Sequence, residues 1–151
     1  MDSIAKLAAI ADASDIAVFE VPLVYIKGKT ILTLNTSNQM MYRQRMAIKN
    51  KYKKIIEPTI RNIVKFDCEH QHIVMQLVFS DRRDRDKDNQ IYTLKYIQDS
   101  LVENGKLIDD KFVSFTVLPS ISRPELEEHY CEVTIIDLCK NGYIKKESKN
   151  D

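Results

Sequence analysis

Three aspartates form the pattern that most directly suggests chemistry in this chain of 151 residues. Asp86 and Asp88 are separated by one residue, and Asp110 follows some twenty residues later beside Asp109. Residues two apart in an extended chain point the same way, so Asp86 and Asp88 can present carboxylates to one point. Mg²⁺ binds a few carboxylate oxygens, retains waters and leaves positions for phosphate oxygens. The three acids are therefore candidate Mg²⁺ ligands, although the sequence leaves open whether the loop carrying Asp110 runs back to the other two.

Basic side chains accompany these acids. Lys95 lies seven residues after Asp88, on the same face of a predicted helix, so it could extend toward a phosphate. A salt bridge with Asp99, one turn later, is the alternative for Lys95. Three arginines precede or flank Asp86: Arg82, Arg83 and Arg85. They either balance ordinary surface carboxylates or attract phosphate to a metal site.

The net charge of +1 conceals a strongly basic segment. Residues 43–65 carry one acid, Glu57, and eight basic residues: Arg43, Arg45, Lys49, Lys51, Lys53, Lys54, Arg61 and Lys65. The segment thus has a charge of +7 and the rest of the chain −6. This asymmetry is typical of a nucleic-acid-binding surface, because Lys and Arg release counterions from phosphates. A solvated helix face is the alternative.

The hydrophobic pattern predicts the elements that position these residues. Residues 15–34 predict two short strands around a turn, and Pro22 puts its strand at a sheet edge. From Ser37 to Glu57 the period becomes helical, and Pro58 is expected to end or interrupt the helix. The predicted buried stripe of this helix is Met41, Ile48, Tyr52 and Ile55.

The second half of the chain also alternates between strand and helix patterns. Residues 70–80 predict a central strand, followed by a helix that begins at Asp88 or Asn89 and ends at Gly105. Its apolar stripe is Ile91, Leu94, Ile97 and Leu101. Two more strands are predicted at 111–118 and 131–138. The order β-β-α-β-α-β-β favours an α+β fold, a two-layer sandwich with a mixed sheet of about four to five strands and two main helices.

Composition and length bound the class of protein. With 44% hydrophobic and 30% charged residues, the chain is expected to fold as one domain. We expect this domain over 15–139, with a helical or disordered extension at 1–14 and a charged tail at 140–151. No apolar run reaches the roughly 18 residues of a membrane span, and the first residues do not resemble a cleavable signal. Three scattered cysteines, Cys68, Cys131 and Cys139, indicate a reducing compartment, so a cytoplasmic location is expected.

Two further patterns have competing interpretations. Cys68, His70 and His72 could share one side of a strand as metal ligands, but zinc sites need more ligands at recognisable spacing. Tyr52, Tyr92 and Tyr96 could stack on bases, although buried helix aromatics are commoner.

The chain resembles the RusA family of Holliday junction resolvases over roughly residues 35–138. The likeness rests on four stretches: Arg85-Asp86-x-Asp88-Asn89; the helix with Lys95 and Asp99-x-Leu101; Asn104-Gly105 with Leu107-Ile108-Asp109-Asp110 and Val113; and Ser37-Asn38 with Tyr42-Arg43. It departs from the family where Tyr92 takes the place of the usual lysine, with Lys95 one turn further. Asp84 also interrupts the basic run, and residues 1–14 extend beyond the usual start.

The resemblance implies a homodimeric, Mg²⁺-dependent endonuclease that binds four-way DNA junctions and nicks two strands symmetrically, in DNA recombination or repair. By position, Asp86, Asp88 and Asp110 would be the catalytic metal-binding acids and Lys95 the catalytic lysine. Asp109 and Asn89 would support them. DNA contacts are expected from Arg43, Arg45, Lys49, Lys53, Arg82, Arg83 and Arg85.

Two other function classes stay open. The first is a DNA-binding protein without catalysis that uses the basic helix of residues 43–65. The second is another Asp-x-Asp phosphoryl-transfer enzyme, such as a nucleotide pyrophosphohydrolase. Three glycines in the chain offer little for the nucleotide pocket that such an enzyme normally needs.

Overall fold

The computed structural model describes residues 16–27, 30–66, 70–83, 91–108, 111 and 113–138. The strands in this part of the chain are β1 (Ile16–Pro22), β2 (Tyr25–Lys27), β3 (Thr30–Ile31), β4 (Gln71–Phe79), β5 (Val113–Val117), β6 (Ile121–Ser122) and β7 (Tyr130–Asp137). The helices are α1 (Leu34–Asn38), α2 (Tyr42–Arg61) and α3 (Ile91–Glu103). The predicted extension 1–14 and tail 140–151 lie outside the described residues.

The predicted α+β fold with a mixed five-stranded sheet and two long helices is confirmed. The strand order is β1-β7-β4-β5, with β6 also paired to β4. β7 is antiparallel to β1 and β4, whereas β5 and β6 are parallel to β4. Parallel neighbours need a crossover, and α3 supplies it between β4 and β5. β1 lies at an edge with Pro22 at its end, as predicted.

The first strand region is more divided than predicted. β1 joins the main sheet, while β2 and β3 form a separate two-stranded sheet. The Leu32 N–H donates to the Val24 carbonyl at 2.8 Å, which extends this hairpin beyond its two strands.

The core lies between the helices and one face of the sheet. Ile73, Met75 and Leu77 alternate along β4 and are buried against this layer. The helices contribute Ile56, Ile60, Ile97 and Leu101, each at most 1% exposed. Burial of this continuous apolar set is the main stabilising contribution to the fold.

The basic helix differs from its prediction in extent and in its buried face. A break after α1 separates Leu34–Asn38 from α2, and Pro58 lies inside α2 instead of ending it. Proline already has a helical φ and removes one donor, and burial of Ile56 and Ile60 continues across the site. The predicted stripe is wrong at Met41 and Ile55, which are exposed, because the buried stripe continues from Tyr52 to Ile56 and Ile60.

Helix α3 ends as its sequence predicts. Gly105 has φ +70, in the left-handed region that glycine adopts at low cost. The Lys106 N–H donates to the Leu101 carbonyl at 2.9 Å and the Gly105 N–H to the Val102 carbonyl at 3.0 Å. These two bonds form a Schellman motif, which satisfies carbonyls at the end of the helix. In the stripe, Ile97 and Leu101 are buried, and Leu94 is half-buried.

No helix in the described ranges is both long and apolar enough for a membrane crossing.

Candidate nucleic-acid interface and acidic site

The tertiary structure divides the basic residues of α2 into a paired and an exposed set. Lys49 Nζ lies 3.0 Å from Asp99 Oδ2 on α3. One turn later on α2, Lys53 forms an ion pair with Glu103, which also lies on α3. Two of the predicted DNA-binding residues are therefore engaged across the interface between α2 and α3.

These ion pairs fix the relative direction of the helices. Positions 49 and 53 meet 99 and 103 in the same order, so α2 and α3 run parallel, side by side. Lys49 Nζ also lies 5.8 Å from the centre of the Tyr96 ring, within the range of a cation–π interaction. The pairing of Lys49 thus fixes its side chain over α3.

The exposed set lies on the rest of α2. Arg43, Lys51, Lys54 and Arg61 are exposed, and Arg61 forms an ion pair with Glu57 one turn earlier at 2.8 Å. Lys65, just after the helix, is also exposed. Apart from the paired Arg61, the exposed basic residues of α2 are Arg43, Lys51 and Lys54. They present their charges to solvent, where phosphates can reach them.

Arg45 is intermediate between the two sets. Its side chain is half-buried, and its Nε is buried without a hydrogen-bond partner among the residues that the structure describes. The positive charge of Arg45 acts to lower the pKa of Tyr96, but desolvation is the larger effect and raises that pKa overall. Arg45 is therefore held close to α3, one turn before Lys49.

Lys95 is an exposed residue on the second turn of α3. It forms no ion pair with the residues that the structure describes. Asp99, which the sequence offered as a salt-bridge partner for Lys95, pairs instead with Lys49. Because α2 and α3 run parallel, Lys95 lies about level with Arg45, near the first turns of both helices.

The tyrosines of the two helices pack together. Tyr52 and Tyr96 are 3% and 4% exposed, and their rings are 6.3 Å apart. Tyr52 donates a hydrogen bond to the Pro22 carbonyl at 2.7 Å, and burial raises its pKa well above the usual 10.0. Tyr92 is half-buried, with its ring 5.7 Å from that of Tyr96. The core interpretation therefore holds for Tyr52 and Tyr96, whose burial excludes stacking on bases in this conformation.

The carboxyl end of β4 is fixed by a network that sequence reasoning missed. The Ser80 N–H donates to His129 Nδ1 at 2.9 Å, and the His129 ring stacks on Tyr25 at 6.2 Å. Ser122 donates to the Asp81 carbonyl, and Asp81 Oδ1 accepts from the Arg83 N–H at 3.1 Å. A buried histidine beside a strand end has no sequence signature, because its partners Tyr25 and Ser80 come from β2 and from the residue that follows β4.

The predicted acidic site falls largely outside the described residues. Asp84 and the predicted site residues Arg85, Asp86, Asp88, Asn89, Asp109 and Asp110 all lie there. Arg82 and Arg83 are described and exposed, three and four residues after the end of β4. Lys111 precedes β5, whose first residue pairs with the first residue of β4. The described neighbours of the two acidic stretches thus lie beyond opposite ends of β4, a strand about 26 Å long at 3.3 Å per residue.

The histidine and cysteine pattern has a different role in the described part of the chain. His72 Nδ1 lies 2.6 Å from Ser114 Oγ and its Nε2 lies 2.8 Å from Thr116 Oγ1, both on β5. Desolvation lowers the pKa of His72 from 6.5. Cys68 lies outside the described residues, and within them no group of three His, Cys, Asp or Glu side chains is placed to hold a metal ion.

Comparison with known proteins adds no family assignment. No family model matches the chain, and the search of curated proteins gave no match.

Proposed function

We propose that this chain is a Mg²⁺-dependent, structure-specific endonuclease that resolves four-way DNA junctions as a homodimer. The observation that carries the proposal is a convergence of cations at one end of the fold. Arg82 and Arg83 follow the carboxyl end of β4, where the acidic segment begins. Since α3 returns from that end and α2 runs parallel to α3, Lys95 and Arg43 lie at the same end.

This arrangement suits binding of a phosphodiester near carboxylates. Cations from three separate elements favour binding of a polyanion beside the start of the segment that carries Asp86 and Asp88. Asp86, Asp88 and Asp110 have the hard oxygen ligands that Mg²⁺ prefers, and they would hold it. The bound ion would supply a Lewis acid and a template for in-line attack by water.

Lys95 has a separate role in this proposal. Its exposed ammonium, free of Asp99, can approach a phosphoryl oxygen and stabilise the charge that grows there during cleavage. The exposed cations of α2, Arg43, Lys51 and Lys54, add affinity for the DNA backbone without sequence preference.

A second copy has a physical reason in this scheme. The described residues next to Asp88 and Asp110 stand at opposite ends of β4, so one copy gives no simple route to a shared ion. A second copy supplies another set of the same acids, and a two-fold dimer matches the two-fold symmetry of a four-way junction.

The experiment is cleavage of a labelled synthetic four-way junction and of a matched linear duplex, with and without Mg²⁺. We expect paired nicks in the junction that require Mg²⁺, and loss of cleavage with retained binding in Asp86→Asn, Asp88→Asn and Asp110→Asn. Glu125→Gln is the matched control, since Glu125 is an exposed loop acid outside the proposed site. Undiminished cleavage by Asp86→Asn rejects the metal role.

Binding without cleavage is the alternative function. The exposed face of α2 favours DNA binding whether or not the acids are catalytic. Junction binding by a chain that never cuts at any Mg²⁺ concentration would support a non-catalytic DNA-binding protein.

A further inference from the structure

Strand β1 ends the main sheet, and its outer edge meets no strand of the described ranges. It pairs with β7 over seven consecutive residues without a bulge. Soluble proteins protect such edges with charges, prolines, bulges or short strands, because free backbone groups bind other strands. Here Glu20 is the one charge, and Pro22 stands only at the end of the strand. The described residues therefore leave this edge open to pairing.

We propose that the outer edge of β1 binds the same edge of a second copy of this chain, antiparallel, about a two-fold axis at Phe19. This inference deepens the proposed function and rests on it for the biological role of the dimer. A second copy is favoured as the occupant because β1 can pair with itself over all seven residues without setting like charges opposite each other.

The register follows from length and charge. An axis at Phe19 pairs all seven residues, with Ile16 opposite Pro22 of the second copy at each end. It also places Glu20 opposite Val18 of the second copy. An axis at Glu20 would set the two Glu20 carboxylates directly opposite each other, which is destabilising in an antiparallel pair.

The same register aligns the faces of the two sheets. Side chains directly opposite in an antiparallel pair lie on one face, so the buried Phe19 and Val21 of both copies face the same layer. The two five-stranded sheets then join into one, with α2 and α3 of both copies on one side. The exposed cations of both α2 helices belong to a single two-fold surface.

Val18 provides a specific test position, since its side chain is 54% exposed on the opposite face from the helices. In the proposed register, position 18 faces Glu20 of the second copy. Val18→Glu therefore sets two negative charges opposite each other, whereas Val18→Lys sets a positive charge opposite the Glu20 carboxylate. A strand pair of this size buries little surface, so we expect a dissociation constant of about micromolar magnitude.

The experiment is sedimentation velocity on the full chain without DNA or metal, from about 1 to about 200 μM. We expect the wild-type chain to dimerise, Val18→Glu to weaken the dimer about tenfold or more, and Val18→Lys to retain or strengthen it. Circular dichroism melts establish that both variants are folded. A wild-type chain that stays monomeric at the highest concentration overturns the proposal, as does a dimer that both variants affect equally.

A second measurement does not depend on charge. Chains with Val18→Cys and chains with Glu20→Cys are mixed, oxidised and compared with each variant alone on non-reducing gels. We expect disulfide-linked dimers chiefly in the mixture, because positions 18 and 20 are opposite only between copies. Equal linkage in all three samples, or the wild-type background level throughout, overturns the register.

Junction cleavage by the same preparations separates the two proposals. Dimerisation through β1 without cleavage rejects the nuclease and retains the interface. Cleavage by a dimer that is indifferent to Val18→Glu retains the nuclease and rejects the interface.

Discussion

Lys49 Nζ lies 3.0 Å from Asp99 Oδ2 and joins the basic helix α2 to α3. The pair is half-buried, and a second pair between Lys53 and Glu103 follows one turn later. These contacts divide a run of charges that looks uniform in the sequence. Part of the positive charge serves the packing of two helices, and part is presented to solvent.

Lys53→Ala and Lys54→Ala compare neighbouring residues of the two sets. Lys54 is exposed and forms no ion pair with the described residues, so Lys54→Ala should reduce junction affinity and lower the slope of log affinity against log salt by about 1. Lys53→Ala should change the salt slope less, since Glu103 already neutralises Lys53. Fluorescence anisotropy at several salt concentrations measures both. Equal losses in the two variants would show that the ion pair opens on DNA.

Lys95→Met tests a role in the chemical step. Because Lys95 is exposed and unpaired within the described part of α3, we expect about a 100-fold lower single-turnover cleavage rate with nearly unchanged junction affinity. Lys54→Met is the control, with lower affinity and an unchanged rate at saturating protein. A Lys95→Met variant that loses only affinity would move Lys95 from catalysis to DNA binding.

Local signals of the sequence were sufficient for much of the fold, but contacts between distant elements were not. Gly105 could be recognised as the end of α3 because a left-handed residue after an apolar stripe is a local requirement. The partners of Lys49 could not, since Asp99 is fifty residues away and is brought near by packing of α2 on α3. Pro58 is a second example. Its ring predicted an end or a break in the helix, whereas burial of Ile56 and Ile60 on either side keeps the chain helical as far as Arg61.

The proposed acidic site shows the same contrast between local signals and contacts of distant elements. Sequence spacing predicts that Asp86 and Asp88 point to one place and that Lys95 shares a helix face with Asp88; both acids lie outside the described residues. It did not indicate that β4 and β5 are parallel, which sets Lys111 and Arg83 at opposite ends of the strand pair. A shared site for Asp88 and Asp110 therefore depends on tertiary or quaternary structure that no local pattern encodes.

His72 should make stability depend on pH below neutrality. Desolvation lowers its pKa in the folded chain below 6.5, so at lower pH the unfolded chain binds a proton that the folded chain does not. The free energy of unfolding should fall as pH decreases below about 6.5, and His72→Asn should reduce this slope. Urea unfolding between about pH 7.5 and pH 5 measures it, with the imidazole titration followed by NMR. A His72 that titrates above 6.5 would contradict the expected sign.

Cys131 should be unreactive in the native chain. It is fully buried, and desolvation raises the pKa of its thiol well above 9.0, so little thiolate forms and reagents cannot reach it. We expect iodoacetamide to modify Cys131 only in urea, as measured by fragment-ion mass spectrometry. The method also separates Cys131 from Cys139, which shares its tryptic peptide. Rapid native labelling at Cys131 would show that β7 opens readily.

Tyr52→Phe removes the hydrogen bond from α2 to the Pro22 carbonyl while retaining the buried ring. We expect a loss of about 1 kcal/mol in the free energy of unfolding at neutral pH, because the carbonyl loses a buried donor. Tyr42→Phe is the control, since Tyr42 is 68% exposed. The raised pKa of Tyr52 adds a second expectation: its stabilising contribution is complete below about pH 10 and is lost as the pH rises further. Tyr52→Phe should therefore reduce the loss of stability at alkaline pH, and identical alkaline profiles in urea unfolding would contradict this assignment.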